Sequence, residues 1–161
     1  MTGFITFAVL MITSLAGPLD GVPLATPENA IGASEVCADA VQSLDGINTH
    51  LISHGWRQST AAEIMGQKPD FPVEIFVIPD NPALIMRFPE EAPNSCVVGA
   101  QLVDRSAWDA LLMQIAQLGT VVPDTLLPLE VRRENIRFNV TVPIIHDQAV
   151  GFTIFVSRAE G

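Results

Sequence analysis

The sequence predicts an α+β fold: an antiparallel sheet of about five strands packed by two helices, behind an N-terminal hydrophobic targeting segment. Two stretches, opening near Ser34 and Ser106, repeat apolar side chains at helical spacing. Five runs are rich in β-branched and aromatic residues or alternate apolar with polar ones, and turn residues separate them. At 161 residues the chain fits one domain, and a second would be cramped.

Residues 3–17 (GFITFAVLMITSLAG) form a charge-free apolar run. A spanning helix wants about 20 residues, so the run matches a signal-peptide core better than a permanent anchor. Ser14-Leu15-Ala16 supplies small residues at the −3 and −1 positions of a cleavage site. Met1-Thr2 carries no Lys or Arg, which a misplaced start codon or a retained anchor would explain. The structural alternative is a buried N-terminal helix of a cytosolic domain. Residues 18–33, punctuated by Pro18, Gly21, Pro23 and Pro27 and lacking an apolar period, read as a flexible linker. The domain then spans 34–161.

Ser34 is a good N-cap, and Cys37, Val41, Leu44, Ile47 and Leu51 recur behind it, predicting one amphipathic helix of about five turns. Gly46 weakens it in the middle, and Gly55-Trp56 supplies a Schellman-type end. Residues 59–66 fit a short helical turn or an irregular strand equally. Residues 73–78, 83–88 and 95–103 read as a three-stranded meander with turns at 79–82 and 89–94. Ser106-Ala107-Trp108-Asp109 is a capping-box variant opening the second helix. Its buried stripe is Trp108, Leu111, Leu112, Ile115 and Leu118, and Gly119 ends it. Residues 135–142 and 150–156 alternate cleanly and form a hairpin around His146-Asp147-Gln148. The order is α-β-β-β-α-β-β. In order alone this resembles the type III secretion chaperone-like fold without its usual last helix, and that likeness implies no site residues.

Eighteen acidic against eight basic residues leave a net charge of −10, which disfavours nucleic acid and anionic membrane surfaces. Lys68 is the only lysine and tyrosine is absent, a composition that fits a GC-rich bacterial genome. Cys37 and Cys96, the two cysteines, are expected to pair in an oxidising compartment. The bond would staple the first helix to the third strand; two buried free thiols or redox chemistry are the alternatives, although no C-x-x-C motif is present.

Chemistry-bearing motifs are sparse. His50 and His54 stand at i, i+4, a spacing that can present two imidazoles to one metal, with His146 or Glu63 as third ligands that no spacing rule supports. Two solvated histidines at a helix end is the plainer reading. Ser53 beside His54, Ser59 with Glu63, and Glu90-Glu91 between two prolines are accidents of composition or solvated turns. No nucleophile elbow, Walker loop or dinucleotide fingerprint occurs, and no cofactor is expected. Asn139-Val140-Thr141 fits a glycosylation acceptor but lies mid-strand. Residues 120–129 (TVVPDTLLPL) differ in kind: Val121, Val122, Leu126, Leu127 and Leu129 crowd a proline-stiffened connection outside any periodic element. They either fold over the core edge or form a possible partner contact.

The expectation is an exported, periplasmic or envelope accessory module acting through protein contacts, touching membrane only through residues 3–17 if these are uncleaved. The alternatives are a small hydrolase with a dispersed active site and a periplasmic metal-binding protein using His50 and His54.

Overall fold

The computed structural model describes Leu19, residues 21–66 and residues 69–159, so the apolar run at 3–17 lies outside the described residues. Helix α1 spans Pro27–Val41. Thr26 caps it: its hydroxyl accepts the Asn29 N–H at 3.1 Å, and Asn29 Oδ1 accepts the Thr26 N–H at 2.9 Å. Pro27 then occupies the first turn, where a missing N–H costs nothing. The helix thus begins at Pro27 and not at Ser34, which is buried in its middle and donates to the Ala30 carbonyl at 2.8 Å.

The stretch ahead of α1 is a strap rather than a flexible linker. Leu19 and Val22 are buried against Ile144 and Ala149. Gln101 Nε2 donates to the carbonyls of Leu19 (3.3 Å) and Val22 (2.6 Å). The backbones of Pro23, Ala25 and Gln101 exchange two 2.8 Å hydrogen bonds. Gly151 makes room for this, since a Cβ there would collide with the end of Leu19.

The predicted long helix is two. After α1 the backbone breaks, Gly46 takes φ +94°, and α2 runs Ile47–Ser53. Leu44, placed in the apolar stripe by its spacing, sits in the break and is 103% exposed. The far end matches expectation. Trp56 N–H reaches Leu51 O and Gly55 N–H reaches Ile52 O, both at 3.1 Å, with Leu51 and Trp56 buried together. Strand β1 (Arg57–Ser59) and the short α3 (Ala61–Met65), capped by Thr60, follow.

The meander is β2 (Glu74–Ile78), β3 (Asn81–Phe88) and β4 (Ala92–Leu102). Helix α4 (Arg105–Ala116) is capped by Asp104, which accepts the Ala107 N–H at 2.9 Å, so Ser106 is not its cap. Trp108, Leu111 and Ile115 form its buried stripe, flanked by half-buried Leu112 and Leu118. Strands β5 (Thr120–Val121), β6 (Leu129–Arg133), β7 (Ile136–Val140), β8 (Ile144–His146) and β9 (Ala149–Arg158) complete the chain.

These strands form one nine-stranded antiparallel sheet, ordered β1-β2-β3-β4-β9-β7-β6-β5, with β8 also on β9. The fold is mixed α+β, with four helices among the described residues. The five expected strands are present, and the additions are the two- and three-residue β1, β5 and β8 and the five-residue β6. Nine strands also remove the likeness to the chaperone-like order. A single register row, Phe76, Ile85, Val98, Ile154 and Val140, crosses the sheet on the face that α1 and α4 cover. The opposite face buries Ile75, Leu84, Met86, Val97 and Phe155 with Ala61 and half-buried Phe71.

Candidate functional site

Cys37 on α1 and Cys96 on β4 are joined as a disulfide, with Cα atoms 5.7 Å apart and both residues fully buried. The bond staples the first helix to the third strand of the meander, and no free cysteine remains among the described residues.

His50 and His54 close α2. Their rings stack at 4.1 Å, and His54 Nδ1 lies 2.9 Å from the His50 carbonyl. Ser53 Oγ donates to the same carbonyl at 2.8 Å and stands 3.1 Å from His54 Nδ1. With its proton on Nδ1, His54 turns that nitrogen to its own helix end, so Ser53 and His54 satisfy a backbone acceptor rather than form a nucleophile–base pair. Neither His146 nor Glu63 is brought to them. Among the described residues no group of three or more His, Cys, Asp or Glu could hold a metal ion.

Ser59 and Glu63 do meet: the buried Ser59 hydroxyl donates to a Glu63 oxygen at 2.6 Å. Glu63 N–H in turn reaches Thr60 Oγ1 at 3.1 Å, so the contact is part of the start of α3. The pair contains no imidazole, and a carboxylate alone is too weak a base to activate serine. A cleft of about 390 Å³ opens beside it, walled by Gln58, Thr60, Pro69, Phe71 and Pro72. A second, of about 370 Å³, lies where α4 starts, between Asp104, Arg105 and the β8–β9 turn at Asp147 and Gln148. Glu90 and Glu91 are solvated in the β3–β4 turn. Asn139 is 7% exposed and Thr141 fully buried with its hydroxyl against Thr153, which puts the glycosylation acceptor out of an enzyme's reach.

Arg87, 8% exposed, anchors a buried polar cluster that no sequence motif marks. Arg87 Nη1 donates to Asn48 Oδ1 at 2.6 Å, Nη2 to the Pro93 carbonyl and Nε to the Ser95 carbonyl at 3.4 Å. Glu74 stands 3.9 Å away and accepts from Asn48 Nδ2 at 3.2 Å. Burial lowers the guanidinium pKa below its usual value, and the Glu74 charge opposes that shift. The cluster pins the start of α2 to the sheet. Its signal in the sequence was a charged residue in phase with Ala83 and Ile85 on the core side of a strand.

The segment 120–129 divides. At its ends Val121 sits on β5 at the sheet edge, 46% exposed, and Val122 N–H bonds the Glu130 carbonyl at 2.8 Å. Leu129 is half-buried against the helix-side core. Leu127 is also half-buried, its N–H held by Thr125 Oγ1 at 3.2 Å. Between Pro123 and Pro128, Asp124 takes φ +59° and Leu126 stands 97% exposed. A leucine held so far from its own core, on a proline-stiffened loop, offers side-chain contact and no bond-making chemistry. Among the described residues no helix is long and apolar enough to cross a membrane. Comparison with protein-family models, with curated proteins and with solved structures gives no match for this chain.

Proposed function

We propose that the protein is an exported accessory module that works through protein contacts centred on the 120–129 loop. Export is supported by the apolar run at 3–17 with its small-residue cleavage pattern, and by a buried disulfide, a bond that persists in oxidising compartments. The single observation that carries the contact reading is Leu126, solvated between two prolines on the loop that follows the edge strand. The edge itself is a poor template for strand addition. It is two residues long, and Pro123 removes the next donor, so the loop side chains carry the contact.

A photo-crosslinking residue at position 126, introduced in a host that exports the protein, tests this. The expected result is a protein adduct in the envelope or secreted fraction from position 126 and none from Met113, which is also solvent-exposed, on α4. Full-length chain confined to the cytosol, without adducts at either position, overturns it.

A further inference from the structure

The large apolar side chains left in solvent are not scattered. Of the nine among the described residues, Leu24, Val103, Leu126, Val142 and Ile145 are each at least half exposed and share one end of the sheet. The register places them there. Leu102, where β4 ends, faces Val150, and Val150 faces Ile145 on β8. Gln101 bridges Leu24, and Val103 is the residue after β4. Leu129 faces Val140, so the loop holding Leu126 and the residues after β7 holding Val142 leave by the same end. Four connections and strand β8 thus bring these side chains to one rim of the sheet.

Carboxylates share this end. Asp80 lies in the β2–β3 turn, Asp104 caps α4, Asp124 precedes Leu126, and Asp147 sits in the β8–β9 turn with its side chain 91% exposed. Arg105 is set among them beside the 370 Å³ cleft. Apolar side chains interspersed with carboxylates repel anionic lipid and attract cations, so their complement is an apolar face flanked by basic residues.

We infer that this end of the sheet is a docking surface for a basic amphipathic segment of a partner protein, an α-helix or loop with one apolar face flanked by Lys and Arg. The inference rests on the contact reading above and enlarges it from the Leu126 loop to the whole rim. Desolvation of Val103, Val142 and Ile145 supplies affinity, while Asp124 and Asp147 orient the approaching chain.

The probe is a labelled helical peptide of about 18 residues, built from leucine and lysine with all leucines on one face, and titrated by fluorescence anisotropy. Wild-type protein is expected to bind it at least about tenfold more tightly than a scrambled peptide of the same composition, and more weakly as salt rises. Val103→Ser with Ile145→Ser should weaken binding about tenfold, as loss of a central apolar contact does, with an unchanged thermal melt. Asp124→Lys with Asp147→Lys should weaken it similarly and flatten the salt dependence. Wild-type affinity in both variants overturns the inference. So does sedimentation with neutral phosphatidylcholine vesicles that the serine pair abolishes, which assigns the rim to lipid. The two readings fail separately. Crosslinking at 126 with peptide binding indifferent to the rim sinks only the enlarged surface. Rim-dependent peptide binding without any crosslink in the cell sinks only the assigned contact at 126.

Discussion

Residues 21–41 cross the middle of the sheet and residues 120–129 lie at its edge, and they differ in what the sheet does with them. The first region, in which alanine is the commonest residue, crosses the central strands and buries Ala30, Ala33, Cys37, Ala38 and Ala40 completely. The second is dominated by valine and leucine, lies at the last strand, and leaves Leu126 in water. Position in the topology decides this, not the apolarity of the segment. Over β3, β4 and β9 there is sheet on both sides of the helix, and small side chains let the two surfaces close to contact distance. At β5 there is a neighbour on one side only, so the chain beyond it has little to lie against. The small-residue region holds the fold, and the large-residue loop leaves Leu126 outside the core.

That contrast can be broken at either side. The largest effect is expected at the disulfide. Cys37→Ala with Cys96→Ala releases a 59-residue separation and should cost about 4 kcal/mol on the chain-entropy model, read by urea unfolding. A cost below about 1 kcal/mol would mean that α1 is not held to the sheet as described. Next comes Ala33→Leu, which forces extra methylenes between α1 and the sheet and should cost roughly 1–3 kcal/mol. If it stabilises instead, the close approach of α1 is not what the small residues serve. At the other region Gly119→Ala would place a Cβ against the Arg132 carbonyl oxygen, pushing β5 off β6. The expected cost is about 1 kcal/mol, with hydrogen exchange of the Val122 amide accelerated and that of α1 unchanged. The smallest change is Leu126→Ala, which should leave stability within about 0.5 kcal/mol, as exposed sites do.

Much of the fold was legible in the residues. Strands β2, β3, β4, β7 and β9 announce themselves through β-branched content and alternation, and the cysteine pairing followed from there being two cysteines behind an apolar run at 3–17. The remainder was hidden for identifiable reasons. Strands β1, β5 and β8 are two or three residues long, too short for any period to develop. Pro27 reads as linker until Thr26 and Asn29 are recognised as a reciprocal cap, and Asp104 is masked by Ser106, another good capping residue two positions later. Leu44 kept helical phase across a break that Gly46 alone signalled. The candidate surface was half legible. Residues 120–129 stood out by composition, whereas Leu24, Val103, Val142 and Ile145 come together only through the strand register.

The central claim is that Leu126 serves contact and not the core, and Leu126→Asp tests it most directly by pairing a thermal melt with crosslinking from the neighbouring position 125. The account predicts a midpoint within about 2 °C of wild type together with loss of the adduct, because a charge on a solvated loop costs the fold little and an apolar interface much. A midpoint lowered by more than about 5 °C would return Leu126 to the core, and an undiminished adduct would remove it from the interface.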